Sequence, residues 1–135
     1  MAEKHFLLDI VTPTKTVFSG MVGSFSAPGL AGSFQVLFNH APLLSAIGIG
    51  EVKVLDSAGT EERYATSGGF AEVNANKVIL LAETAERSDS IDVKRAEEAK
   101  RRAVDRLAEE EKIDEQRARA ALARALNRLK VAGAG

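Results

Sequence analysis

Apolar and polar residues alternate along the first part of this chain and recur at helical spacing along the last part, and the change of period falls within residues 81–103. Residues 5–11 (HFLLDIV) predict a strand closed by the Thr12-Pro13 turn. Residues 16–18 predict a short second strand ending at Ser19-Gly20, residues 21–27 a third ending at Pro28-Gly29, and residues 33–38 (SFQVLF) a fourth. Asn39-His40-Ala41-Pro42 reads as an ordered turn into Leu43-Leu44, because Pro42 fixes its own φ and biases Ala41 away from helix. Residues 51–55 and 61–66 bracket Asp56-Ser57-Ala58-Gly59, a hairpin turn. Ser67-Gly68-Gly69 permits a bend, residues 70–73 resume the strand, Asn74-Ala75-Asn76 turns it, and residues 77–82 (KVILLA) form the most apolar strand. About nine or ten short strands in ~85 residues predict a β-sandwich or flattened barrel with Phe6, Phe25, Phe34, Val36, Ile79 and Leu81 in its core.

The last part is a doubled motif. Ile91-Asp92-Val93-Lys94-Arg95-Ala96 reappears as Ile113-Asp114-Glu115-Gln116-Arg117-Ala118, and Arg102, Val104, Arg106 and Leu107 are answered by Arg124, Leu126, Arg128 and Leu129. Two equivalent helices follow, each starting at an Asp N-cap, Asp92 or Asp114, with Ile91 or Ile113 as a staple against Ala96 or Ala118. Their apolar stripes, Ala96, Ala99, Ala103 and Leu107 on one helix and Ala118, Ala121, Leu122, Ala125, Leu126 and Leu129 on the other, predict an antiparallel hairpin turning around residues 109–112. Alanine seams let backbones approach closely but bury little, at ~0.8 kcal/mol per methylene-sized group. The class expected is therefore α+β: a β-sandwich domain over residues 1–85, a hinge over 86–90 and a helical hairpin over 91–135, read as folded in one state and released in another, with a permanently docked hairpin as the alternative.

Composition narrows the function. The chain has 135 residues, enough for one core plus an appendage. It has no cysteine and no apolar run near the ~18 residues of a membrane span, and it opens without the features of a secretory signal. A cytoplasmic home fits. Acids outnumber bases up to Ala85, whereas every charged residue from Arg117 to Lys130 is basic, which directs the tail toward an acidic or anionic partner or makes it a solvated face. No Gly-Lys-Ser/Thr phosphate loop, G-x-S-x-G elbow or metal-ligand spacing is present, and His5 and His40 stand far apart. His40 reads as a hydrogen-bonding loop residue or a contact for another chain.

One stripe carries candidate chemistry. Asp92, Arg95, Ala99, Arg102 and Arg106 follow alternating spacings of three and four, and antiparallel pairing brings Arg124 and Arg128 toward Ala99 and Arg95. Guanidinium groups match phosphate bidentately, so a phosphate ligand is one reading; solvent-exposed charge paired with Glu97 and Glu98 is the other.

Residues 32–37 (GSFQVL), Asn39-His40-Ala41-Pro42-Leu43-Leu44, residues 67–73 (SGGFAEV), Ala82-Glu83-Thr84-Ala85 and Ile91-Asp92-x-x-Arg95-Ala96 together resemble the epsilon subunit family of bacterial F-type ATP synthase, over nearly the whole chain. Phe38 departs from the family, which usually has Pro before this loop. The resemblance implies a non-catalytic rotor subunit that couples proton translocation to ATP synthesis, on the cytoplasmic side of the bacterial plasma membrane and held there only through the complex. Its sandwich would bind the gamma subunit and the c-subunit ring, with Ser33 and His40 at loop positions near those partners. Its hairpin would extend into the alpha/beta catalytic ring and inhibit ATP hydrolysis, the basic Arg117, Arg119, Arg124 and Arg128 meeting an acidic beta-subunit segment. No cofactor is required, but some members bind ATP as a regulatory ligand through positions that match Glu86, Ile91, Asp92, Arg95, Ala96, Arg102, Arg124 and Arg128. The competing class is a nucleic-acid module built on the basic helix, which the scarcity of aromatics, with one Tyr and no Trp, argues against.

Overall fold

The computed structural model describes residues 4–109 and 114–133. The chain divides into two compact units, Met1–Arg87 and Ser88–Gly135. The first is all β. Its strands are β1 (Phe6–Val11), β2 (Thr16–Gly29), β3 (Gly32–Val36), β4 (Leu43–Ile47), β5 (Gly50–Asp56), β6 (Glu61–Thr66), β7 (Gly69–Asn74), β8 (Lys77–Ala82) and β9 (Ala85–Arg87). They form one nine-stranded, sandwich-like sheet in the order β1-β8-β7-β4-β2-β5-β6-β9, with β3 beside β2 and β1 returning to pair with β2. β1 and β8 run parallel, and the other pairings are antiparallel.

β2 holds the sheet together. Its first half pairs with β1 from Thr16 to Val22, and its second half pairs with β5 on one side and β3 on the other. The sequence predicts two strands here, broken at Ser19-Gly20 and closed at Pro28-Gly29; the structure has one. The break fails because β1 continues opposite it, Asp9 facing Ser19 and Leu8 facing Gly20, and Ser19 Oγ donates to Asp9 Oδ1 at 2.6 Å. Pro28 is tolerated because the register with β5 stops at Ser26, so its missing N–H costs no bond to that strand. At Gly69 any side chain would collide with backbone. Its φ is +149°, and a Cβ there would lie 1.9 Å from Leu81 O.

Strand alternation fills the core with Phe6, Leu8, Ile10, Val22, Phe25, Val36, Val52, Val54, Tyr64, Val78 and Leu80. Phe34 is half-buried and meets Phe25 edge-on, with centroids 6.4 Å apart. Two expected core residues belong elsewhere: Leu81 is 55% exposed and Ile79 is half-buried, because Val78, Leu80 and Ala82 take the inward positions of β8. An uninterrupted apolar run carries no parity of its own, so pairing with β1 and β7 decides which residues turn in. β9 was not foreseen. It carries Ala85, Glu86 and Arg87 along β6, opposite Thr66, Ala65 and Tyr64, so Glu86 and Arg87, expected in a hinge, extend the sheet in this structure.

The second unit opens with a 3-10 turn, Ser88–Ser90, followed by α1 (Val93–Ala108) and α2 (Glu115–Val131), which pack against each other as a hairpin. Both starts are as the doubled motif predicts: Asp92 Oδ1 accepts from Arg95 N–H and Asp114 Oδ1 from Arg117 N–H, each at 3.0 Å. The expected turn around residues 109–112 and the Ile113 staple fall almost wholly on 110–113, outside the described residues. Ala96, Ala103, Ala118, Ala125 and Leu129 are buried, and Ala99, Leu107, Ala121 and Leu122 are partly so. Leu126 departs from its expected stripe at 44% exposed, matching its repeat counterpart Val104, which lies outside the first helix's stripe and is 45% exposed. A seam of small side chains covers a narrow strip of each helix, and both residues fall on its flank.

Candidate functional site: the outer face of the sheet and the helix starts

Neighbouring outward-facing residues of four strands line up. Ala46 on β4 is opposite Phe70 on β7, Phe70 is opposite Leu81 on β8, and Leu81 is opposite Val11 on β1. This apolar row crosses the sheet over ~15 Å, at the ~4.8 Å spacing of strands. Phe70 is 58% exposed, and Leu44, one pleat along β4, is 70% exposed. Pro13 and Thr12 border the same row and help form a shallow groove of about 410 Å³ with Phe70 and Leu81. Exposed large apolar groups gathered in one place mark contact surfaces more often than scattered ones do.

Ser33 and His40, both candidate subunit contacts, stand at opposite ends of β3: Ser33 beside the β2–β3 turn, opposite Pro28, and His40 in the loop after Val36. That loop is pinned. Asn39 N–H donates to Asn76 Oδ1 and Asn76 Nδ2 donates to His5 O, each at 3.0 Å, while His40 N–H donates to Leu37 O at 3.2 Å. Asn39 and Asn76 both hold φ of +60°, a conformation Asn adopts more readily than most residues. His40 Nδ1 donates to Ala41 O at 2.7 Å, which places a ring proton on Nδ1. The stiffness that Pro would give at position 38 is thus supplied from across the sheet, and Leu37 and Phe38 project from the loop at 52% and 39% exposed.

The candidate nucleotide residues are divided. Glu86 lies on β9 in the first unit, and Ile91, Asp92, Arg95, Ala96, Arg102, Arg124 and Arg128 lie in the second. Asp92 spends one carboxylate oxygen on the helix cap, and Ile91 and Ala96 are buried. Arg95, Arg102 and Arg124 are exposed, and Arg128 is half-buried. Of the basic run on α2, Arg119 is tied to Glu115 one turn earlier at 2.8 Å, whereas Arg117 is exposed beside the Asp114 cap. Among the described residues, no group of three or more His, Asp or Glu side chains could hold a metal ion.

On the sheet, Arg63 donates through Nε to Glu51 Oε2 at 2.9 Å and through Nη2 to the same oxygen, and Lys53 lies 3.6 Å from Oε1. The hydrogen bonding that Arg63 donates to Glu51 raises its pKa, burial lowers it, and the charges of Glu51 and Glu61 add to the rise, so this guanidinium stays charged.

Residues 5–88 match the family described as "ATP synthase, Delta/Epsilon chain, beta-sandwich domain", and residues 89–133 match "ATP synthase, Delta/Epsilon chain, long alpha-helix domain". The chain belongs to the ATP synthase delta/epsilon chain family. Within it, the ATP synthase epsilon chain of Nitratidesulfovibrio vulgaris (strain DP4) is 51% identical over 132 residues, covering 97% of this chain and 98% of the relative. That of Syntrophomonas wolfei is 43% identical over 133 residues, covering 98% and 97%. Among solved structures, a chain of the Euglena gracilis mitochondrial ATP synthase (OSCP/F1/c-ring, rotational state 1) superposes with a TM-score of 0.73 at 19% identity, over 97% of this chain and 79% of that one. At that identity the likeness is one of fold. No helix among the described residues is long and apolar enough to cross a membrane.

Two features escaped the sequence. The row of Phe70 and Leu81 could have been found by fixing the parity of β7, since Ala71 and Val73 are its inward residues. The Asn76 pin joins positions far apart in the chain and left no local signal.

Proposed function

We propose that this chain is the epsilon subunit of a bacterial F-type ATP synthase, a non-catalytic part of its central stalk that joins the gamma subunit and the c-subunit ring and thereby couples proton translocation to ATP synthesis. The observation that carries the docking role is the exposed row Ala46, Phe70, Leu81 and Val11 on the sheet. Its apolar side chains suit the desolvated centre of a protein interface. The test is rebinding to ATP synthase stripped of this subunit. The double variant Phe70→Glu, Leu81→Glu alters exposed side chains, so the sheet should fold; binding should fall at least about tenfold. Equal binding by variant and wild type would remove the docking role from this face.

The hairpin is the regulatory part: released into the alpha/beta ring it inhibits ATP hydrolysis, its basic α2 residues Arg117, Arg119, Arg124 and Arg128 meeting an acidic beta-subunit segment. Its alanine seam supports this, because little apolar area holds it in one arrangement. A chain ending at Arg87 should still bind the stripped complex and should raise its ATPase activity; unchanged activity would refute inhibition. ATP is the proposed ligand of the folded hairpin through Ile91, Asp92, Arg95, Ala96, Arg102, Arg124 and Arg128. If it binds that form alone, a hundredfold excess over Kd stabilises it by ~2.7 kcal/mol. Titration of the isolated chain checks this: Arg95→Ala and Arg124→Ala should each weaken binding, and no saturation at millimolar ATP would end the idea.

A further inference from the structure

The two edges of the sheet are built differently. β9 closes one with three residues, two of them the charged Glu86 and Arg87, a short and charged edge of the kind that resists unwanted pairing. β3 forms the other, and among the described residues it pairs with β2 alone.

Which groups β3 leaves free follows from its neighbour. Leu30 N–H donates to Ala46 O at 2.9 Å and Pro28 O accepts from Gly48 N–H at 2.8 Å. The even-numbered residues at this end of β2 therefore direct their backbone groups toward β4 and β5, and the odd-numbered Phe25, Ala27 and Gly29 direct theirs toward β3. Their register partners there are Val36, Phe34 and Gly32. Ser33 and Gln35, both exposed, are left with N–H and C=O turned outward.

Among the described residues, β3 itself carries none of the features that blunt an edge. β3 (GSFQV) contains no charge and no Pro, and residues 16–50 contain no Asp, Glu, Lys or Arg at all in a chain that is 27% charged. Leu30, 73% exposed, lies before the strand and Leu37, 52% exposed, after it. Outward backbone groups in a row are complemented by another strand. A charged segment would lose hydration along a strand whose own residues offer it no counter-charge. We propose that β3 is completed in the assembled enzyme by an extended, uncharged segment of a rotor partner, paired through the backbones of Ser33 and Gln35. This rests on the rotor reading above.

The test again uses the full chain and ATP synthase stripped of this subunit. Gln35→Pro deletes an N–H that makes no bond within the sheet, so the isolated variant should melt close to wild type while its rebinding weakens at least about tenfold; Gln35→Ala, which keeps the backbone, should rebind within about twofold. Independently of any variant, amide exchange at Ser33 and Gln35 should slow when wild type enters the complex. If wild type fails to rebind, the rotor reading falls and this proposal with it. If wild type and folded Gln35→Pro rebind equally, or the two amides exchange as fast in the complex as free, edge pairing alone is overturned. A wild-type dimer that Gln35→Pro dissolves would also overturn it, by making a second copy the occupant.

Discussion

Tyr64, Phe6, Phe25, Leu8, Ile10 and Leu80 are almost completely buried in the sheet unit, whereas Ala96, Ala103, Ala118 and Ala125 supply most of the buried positions of the helical unit, with Ile91, Leu129 and Val131 beside them. A fully buried Leu or Phe contributes about 1.5–3 kcal/mol, and a methyl group about 0.8 kcal/mol. The sheet therefore has one arrangement far below any other. The hairpin relies on helix propensity, two Asp caps and a thin seam, which supports the proposal that a ligand or a partner shifts its balance.

That contrast can be broken most forcefully in the sheet. Leu8→Ala should lower its stability by about 2–5 kcal/mol, measured by denaturant unfolding followed at Tyr64, because the close-packed layers around β1 cannot collapse onto the void. A loss below about 1 kcal/mol would mean that the core is looser than its burial implies. Next in size, Asp92→Ala combined with Asp114→Ala should remove about 1 kcal/mol per cap from the helical unit, seen as faster amide exchange in the first turns of α1 and α2, with the core amides of β1 and β8 unaffected. Equal acceleration in both units would show a single cooperative body and abolish the distinction. The smallest effect is expected from Asn76→Gly, which keeps the +60° φ available but deletes the carboxamide. The cost should be about 1 kcal/mol, with exchange at the Asn39 amide rising while the sheet core stays protected. An Asn39 amide as protected as before would mean that the loop carrying His40 is held by something else.

Much of the helical unit is readable along the chain because its determinants are local. The carboxylates of Asp92 and Asp114 reach amides three residues on, and the alanine stripes repeat at the helical period. Strand identity is equally local in β5 and β6, where alternation or β-rich composition lies between turn residues. The errors fall where a remote partner decides. Ser19-Gly20 looks like a stop until β1 is laid beside it, Leu81 looks like core until β1 and β7 set its parity, and Ala85–Arg87 has no strand pattern until β6 supplies its ladder. The same holds for the candidate site: the arginine positions are visible as a stripe, but the row from Ala46 to Val11 exists only because four strands stand in register.

By itself, then, the order of residues determined the division into a sheet and a helical pair, the helix starts, and the absence of charge from residues 16–50, since each depends on neighbours within a turn or on composition alone. Tertiary structure decided which face of each strand meets water, which edge remains open, and that Asn76 would fasten the loop ahead of His40. A strand's two faces are exchanged by a slip of one residue, and only pairing with a distant strand fixes that choice.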